Sequence, residues 1–179
     1  MKYELTTNFI EYKGKKLYQI KALKDFSSVK AGDLGGYIEK ESNLSQNGNC
    51  WAFDNAKVYD EAKIYGDAKV CGNAEVWGNA EVYGDAEVYD NAEVWGKAEV
   101  YGYAEVFDYA KVFDKAEVWG YAQVFDYAEI YGKAKVWGYA EVCGNALVGG
   151  YADVWGYAEV YGDAKVCGDK EEAKKRELL

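Results

Sequence analysis

The chain has 179 residues, 29% charged and 17% aromatic, with a formal net charge of −10, one arginine (Arg176), and no histidine or proline. That length suits one domain plus a cap, and the acidity excludes the basic stripe of a phosphate or nucleic-acid binder. Solubility is the plainest reading of the charge.

The N-terminus begins Met1-Lys-Tyr-Glu-Leu-Thr-Thr-Asn and has neither the basic nor the apolar region of a secretion signal. No apolar run approaches the roughly twenty residues a membrane span needs. The expectation is therefore a cytoplasmic protein without membrane or direct nucleic-acid contacts. Residues 3–25 read as two strands around the Lys13-Gly14-Lys15 turn. Such a hairpin can cover the open end of a stacked fold, whose terminal edge is otherwise a liability. Residues 25–58 are glycine-rich and irregular until Cys50-Trp51-Ala52-Phe53. The domain reading is a cap region over 1–49, a repeat region over 50–169 and a charged C-terminal helix or tail over 170–179.

From Ala56 to Asp169 one six-residue unit recurs: Ala, Glu or Lys, Val or Ile, an aromatic, Gly or Asp, and a variable residue. Internal repetition of this kind sets the architecture. Alternation within Ala-x-Val-x has period two, the signature of a strand. Burying a column of Glu and Lys would be prohibitive, so Ala and Val face in, and the charged and aromatic residues face out. A fifth position restricted to Gly or Asp (Asp90, Asp108, Asp114, Asp126) reads as a corner with left-handed backbone.

A longer period gives the number of strands per turn. Asp90, Asp108 and Asp126 recur every eighteen residues, as do Lys97, Lys115 and Lys133, and Trp119, Trp137 and Trp155. Eighteen residues are three strands and three corners, which makes a triangular solenoid of six to seven coils stacked about 4.8 Å apart. Each coil buries three Val and three Ala, and a fully buried Val contributes roughly 1.5–3 kcal/mol. Stacking then builds a core that no coil could form alone.

The run Ile20-Lys-Ala-Leu-Lys-Asp-Phe, with Val29-Lys-Ala-Gly, Gly35-Gly36-Tyr37, Leu44-Ser45-Gln46 and Gly48-Asn49-Cys50-Trp51, resembles the N-terminal region of the YdcK-like hexapeptide-repeat proteins. The hexads after it resemble that family's repeats, so the likeness covers about residues 18–169. It implies an all-β, single-stranded left-handed parallel β-helix like that of the hexapeptide acyltransferases, and a phage or prophage setting. The family's acyltransferase label follows its fold, and no catalytic residue carries over.

Acyltransfer on this scaffold needs a general base, usually histidine, and no histidine is present. Zinc chemistry is excluded on the same ground, since none of Cys50, Cys71, Cys143 and Cys167 forms a CxxC pair. Free thiols suit a reducing compartment. Threonine ranks for ice binding are absent, because Thr6 and Thr7 lie outside the repeat. The reading is a non-enzymatic protein with no cofactor and no metal.

The candidate contact surface is the outward column Tyr65, Tyr83, Tyr101, Trp119, Trp137 and Trp155, flanked at its corner by Tyr103, Tyr121, Tyr139 and Tyr157. The other two faces are broken by Cys71, Cys143, Gly149 and Cys167. Stacked rings stabilise neighbouring strands by roughly 0.2–1 kcal/mol per pair. A patch of this size also suits an interface rich in Tyr and Trp. The leading expectation is a structural or interaction module forming a dimer or trimer, or meeting a host protein. Alternatives are an acidic decoy for a nucleic-acid enzyme, using Glu87, Glu105, Glu141 and Glu159, a small-molecule sponge stacking planar ligands on the tyrosines, and a degenerate acyltransferase.

Overall fold

A computed structural model describes residues 1–169; the reading of 170–179 as helix or tail falls outside the described residues. The chain is an all-β parallel solenoid of about seven turns with an antiparallel hairpin at its N-terminal end. Strand β1 (Tyr3–Tyr12) pairs with β2 (Lys15–Ala22) across Lys13 and Gly14, both at positive φ. That conformation matches the twist of a two-residue hairpin.

The coil strands form three faces. The first carries Lys57–Val58 and every strand eighteen residues on, up to Lys165–Gly168; the second runs from Lys63–Ile64 to Asp153–Val154, the third from Trp51–Ala52 to Glu159–Val160. Residues eighteen apart are register partners, as in Glu87 with Glu105 and Val88 with Val106. Outward residues of a hexad donate backbone N–H groups to the next coil, such as Glu105 to Ala122 O at 3.0 Å, Phe107 to Val124 O at 3.0 Å and Tyr109 to Asp126 O at 2.8 Å.

The alanines and valines line the axis, and from Ala68 to Val148 each is 0% exposed. Charged residues and rings point outward. The corner residues hold positive φ, from 51° to 61° at Asp54, Asp60, Asp90, Asp108, Asp114 and Asp126 and from 65° to 79° at the repeat glycines Gly66 through Gly162.

The parallel stack starts upstream of residue 50. Strand β3 (Leu34–Ile38) pairs antiparallel with β2 and parallel with Lys57–Val58, and Leu44 bridges Ile64 on the second face. Partners there stand twenty positions apart (Tyr37 with Lys57, Leu44 with Ile64), so this first coil does not share the eighteen-residue period. Its backbone packs closely: a Cβ on Gly35 would lie 2.5 Å from Ala52 O, and one on Gly36 2.6 Å from Ala56 O.

A compact plug closes this end. Trp51 meets Tyr3 and Phe26 edge-on at 6.0 and 5.4 Å, over Ile20, Ile38 and Leu44. The Tyr3 hydroxyl donates to Leu44 O at 2.7 Å. Lys2, buried with Cys50, donates from Nζ to Cys50 O at 2.8 Å and to its Sγ at 3.3 Å. Burial pushes the Lys2 amine below its usual pKa and the Cys50 thiol above its own.

Candidate interaction surface

The strand period puts the same side chain at the same outward site in successive coils, so each face presents columns. On the second face Tyr65, Tyr83, Tyr101, Trp119, Trp137 and Trp155 stack without a break, with centroids 4.7, 4.8, 5.6, 5.7 and 5.7 Å apart. Planes differ by no more than 16°. The corner between the second and third faces carries Tyr103, Tyr121, Tyr139 and Tyr157, stacked at 4.9, 5.0 and 5.1 Å.

The two columns differ in exposure. Tyr65 through Trp137 are half-buried, the four rings from Tyr83 to Trp137 being covered on both faces by their neighbours; in this column only Trp155 is exposed, at 55%. The corner tyrosines are open to solvent: 54, 51 and 51% for Tyr103, Tyr121 and Tyr139, and 81% for Tyr157. The longest exposed ring ladder is thus the tyrosine corner with its flanking wall of ring edges; a shorter one, Tyr109 and Tyr127 stacked at 5.1 Å, lies at the corner between the third and first faces.

The first face has an aromatic column that column breaks at Gly149 and Cys167 obscure in the sequence. Tyr59, Trp77, Trp95, Phe113 and Tyr131 stack at 5.8, 4.9, 4.4 and 5.5 Å. Its N-terminal end is covered, since Tyr12 meets Tyr59 edge-on and Lys13 Nζ sits 4.7 Å from the Trp77 ring. The third face keeps a shorter stack, Tyr89, Phe107 and Phe125.

Ring and carboxylate columns are tied to each other across coils. The hydroxyls of Tyr65, Tyr83 and Tyr89 donate to Glu81, Glu99 and Glu105, sixteen residues on, at 2.8, 3.0 and 3.0 Å. Trp137 Nε1 donates to Asp153 at 2.8 Å. Partial burial, then these carboxylates, hold the three tyrosine hydroxyls well above their ordinary pKa.

This arrangement limits the chemistry available. A planar ligand between two rings would need roughly 7 Å, twice the optimal carbon–carbon separation, and the columns stand at 4.4–5.8 Å. Intercalation is therefore closed to a small-molecule guest, and ring faces are offered only where columns end. Of the acidic candidates, Glu87 pairs with Lys69 at 2.7 Å and Glu105 accepts from Tyr89. Glu141 and Glu159 are exposed, but Gln123 interrupts their column between Glu105 and Glu141.

All four cysteines are free. Burial, then Glu87, pushes the Cys71 thiol up to about 11. Among the described residues no group of three or more His, Cys, Asp or Glu is placed to hold a metal, and no helix is long and apolar enough to cross a membrane.

No protein-family model matches the chain. A stretch of 42 residues, 24% of this chain, is 48% identical to the Escherichia coli (strain K12) protein named "Uncharacterized acetyltransferase YdcK". The match spans 13% of that protein's length.

Proposed function

We propose that this chain is a non-catalytic solenoid whose work is contact, with the tyrosine corner and its flanking second face docking side by side on a second copy. The observation carrying this is the exposure of Tyr103, Tyr121, Tyr139 and Tyr157 at 51–81% in one stacked ladder. Rings already held in place lose little freedom on binding, and tyrosine supplies both apolar area and a hydrogen-bonding tip. Interfaces are enriched in this residue type.

Replacing Tyr121 and Tyr139 together by Ser should leave the β-type circular dichroism unchanged, because these rings lie outside the axis, and should lower the solution mass measured by light scattering. A mass that stays the same at equal concentration would refute the corner as an interface.

The short likeness to a protein named as an acetyltransferase favours one second reading, acyl transfer. With no histidine in the chain, the base would have to come from a carboxylate, thiol, lysine or tyrosine side chain. Release of free thiol from acetyl-CoA in the presence of amine acceptors would support it; no release above the protein-free rate would leave the contact role standing.

A further inference from the structure

The two ends of the solenoid differ. The N-terminal end is plugged by Tyr3, Ile20, Phe26 and Trp51. At the other end Asp153–Val154, Glu159–Val160 and Lys165–Gly168 are the last strands of their sheets, so among the described residues each face ends on an edge. Among the described residues the axis is open there: Val160 and Val166 are only half-buried and Ala158 is exposed, around a hollow of about 780 Å³ bounded also by Trp137 and Trp155. Trp155 and Tyr157 end their ring columns with one face uncovered by any further stacked ring. An edge and an apolar opening together form a template for another chain.

We propose that this end docks on the same end of a second copy, the two related by a two-fold axis that is perpendicular to the solenoid and passes midway between Val160 and Val160 of the second copy. The end of a solenoid is a ramp that climbs one coil spacing, about 4.8 Å, per turn and then drops in a step. Val160 lies midway along the final turn, between Val154 and Val166 on the other two faces. Rotation about an axis there lays the climbing half of one ramp on the matching half of the other, so the gap stays constant and the two steps interlock. An axis through either other face leaves the ramps out of phase.

The register follows from that symmetry. Val160 meets Val160 of the second copy, and Val154 meets Val166, which joins the two valine cores. On the outside Glu159 faces Tyr161, Trp155 faces Lys165, and Asp153 faces Cys167, each pair occurring twice. No like charges oppose each other, and two of the three outer pairs repeat contacts made within the chain: tyrosine with glutamate, as Tyr83 with Glu99, and lysine over an indole, as Lys13 on Trp77. All three edges pair antiparallel, which satisfies their backbone groups.

The remaining candidate within the chain is residues 170–179. That segment has seven charged residues and Ala173, Leu178 and Leu179 as its apolar ones, and the test below separates it from a second copy.

The test uses the full chain with Cys71→Ser and Cys143→Ser, leaving buried Cys50 and native Cys167. Adding Asp153→Cys and oxidising with glutathione disulfide should give a reducible dimer whose linked peptides contain residues 153 and 167, lost on Cys167→Ser. Within one chain these positions sit on different faces, so the bridge can form only between copies. With Tyr121→Ser and Tyr139→Ser removing the corner contact, Lys165→Glu should weaken dimerisation at least tenfold with unchanged circular dichroism, and X-ray scattering of the dimer that keeps Lys165 should show about twice the monomer's long dimension. A monomer at high concentration, a dimer of unchanged length, or cross-links joining residues 170–179 to the end of the same chain would each overturn the proposal. Tyr121→Ser with Tyr139→Ser leaves the 153–167 bridge intact, so this interface and the tyrosine corner fail independently.

Discussion

At the scale of single residues the corner shows why only two amino acids recur there. Gly120 has φ +77°, and a Cβ on it would lie 2.9 Å from Gly138 N. Asp accepts the left-handed backbone because its carboxylate takes the N–H of the corner above: Gly132 N–H donates to Asp114 Oδ2 at 3.2 Å, and Gly144 N–H to Asp126 Oδ2 at 3.0 Å. Gly120→Ala should therefore cost at least about 1–2 kcal/mol, the usual penalty for this region in a residue with a Cβ. Asp114→Ala should cost more than Asp114→Gly, since alanine keeps the strain and loses the acceptor. Urea denaturation of the three variants gives the ranking. The restriction to Gly and Asp is legible in the sequence; the coil-to-coil hydrogen bond that selects Asp depends on a neighbour eighteen residues away.

At the scale of elements two polar clusters hold the hairpin to the first coils: Lys15 pairs with Glu39 and Asp60 at 3.0 and 2.8 Å, and a second cluster gathers on Glu75. Glu75 accepts from the Tyr12 hydroxyl, pairs with Lys13 Nζ at 2.9 Å and accepts from Tyr59 at 3.1 Å. Burial opposes its charge, yet these donors outweigh burial and bring the carboxyl below its usual range. A carboxyl with a lowered folded pKa stabilises the folded chain above its unfolded value and loses that contribution as pH falls through the folded one. Hairpin docking should accordingly weaken below about pH 4, the ordinary glutamate range, seen as faster amide exchange across Tyr12 to Lys15. Glu75→Gln should remove that acid dependence. The hairpin itself is announced by Lys13-Gly14, but its docking partners lie 62 and 63 positions away and no local pattern announces them. The same holds for Asn43, a buried polar residue whose amide donates to Asp60 O and Ala62 O at 3.0 and 2.9 Å in the first coil.

At the scale of the whole molecule stability is spread along a stack in which each coil meets only its neighbours. The outward tyrosines add a dependence on alkali. Tyr59, Tyr65, Tyr83 and Tyr89 all hold their protons above the ordinary tyrosine range, chiefly through burial. The folded chain then binds more protons than the unfolded one above about pH 10, so stability should fall as pH rises beyond that point. Urea midpoints at pH 8, 10 and 11 should decline in that order, and Tyr65→Phe with Tyr83→Phe should flatten the decline. The sequence by itself determined the strand-and-corner unit, the eighteen-residue coil and the inward valines, because a strict repeat turns one local preference into a global register. Only the tertiary structure decided that five rings of the six-ring column are half-buried while the tyrosine corner is open, that the stack begins at Leu34, and that one end is plugged while, among the described residues, the other shows an edge. Exposure and closure depend on which coils lie above and below, and a repeating pattern is the same at its middle and at its ends.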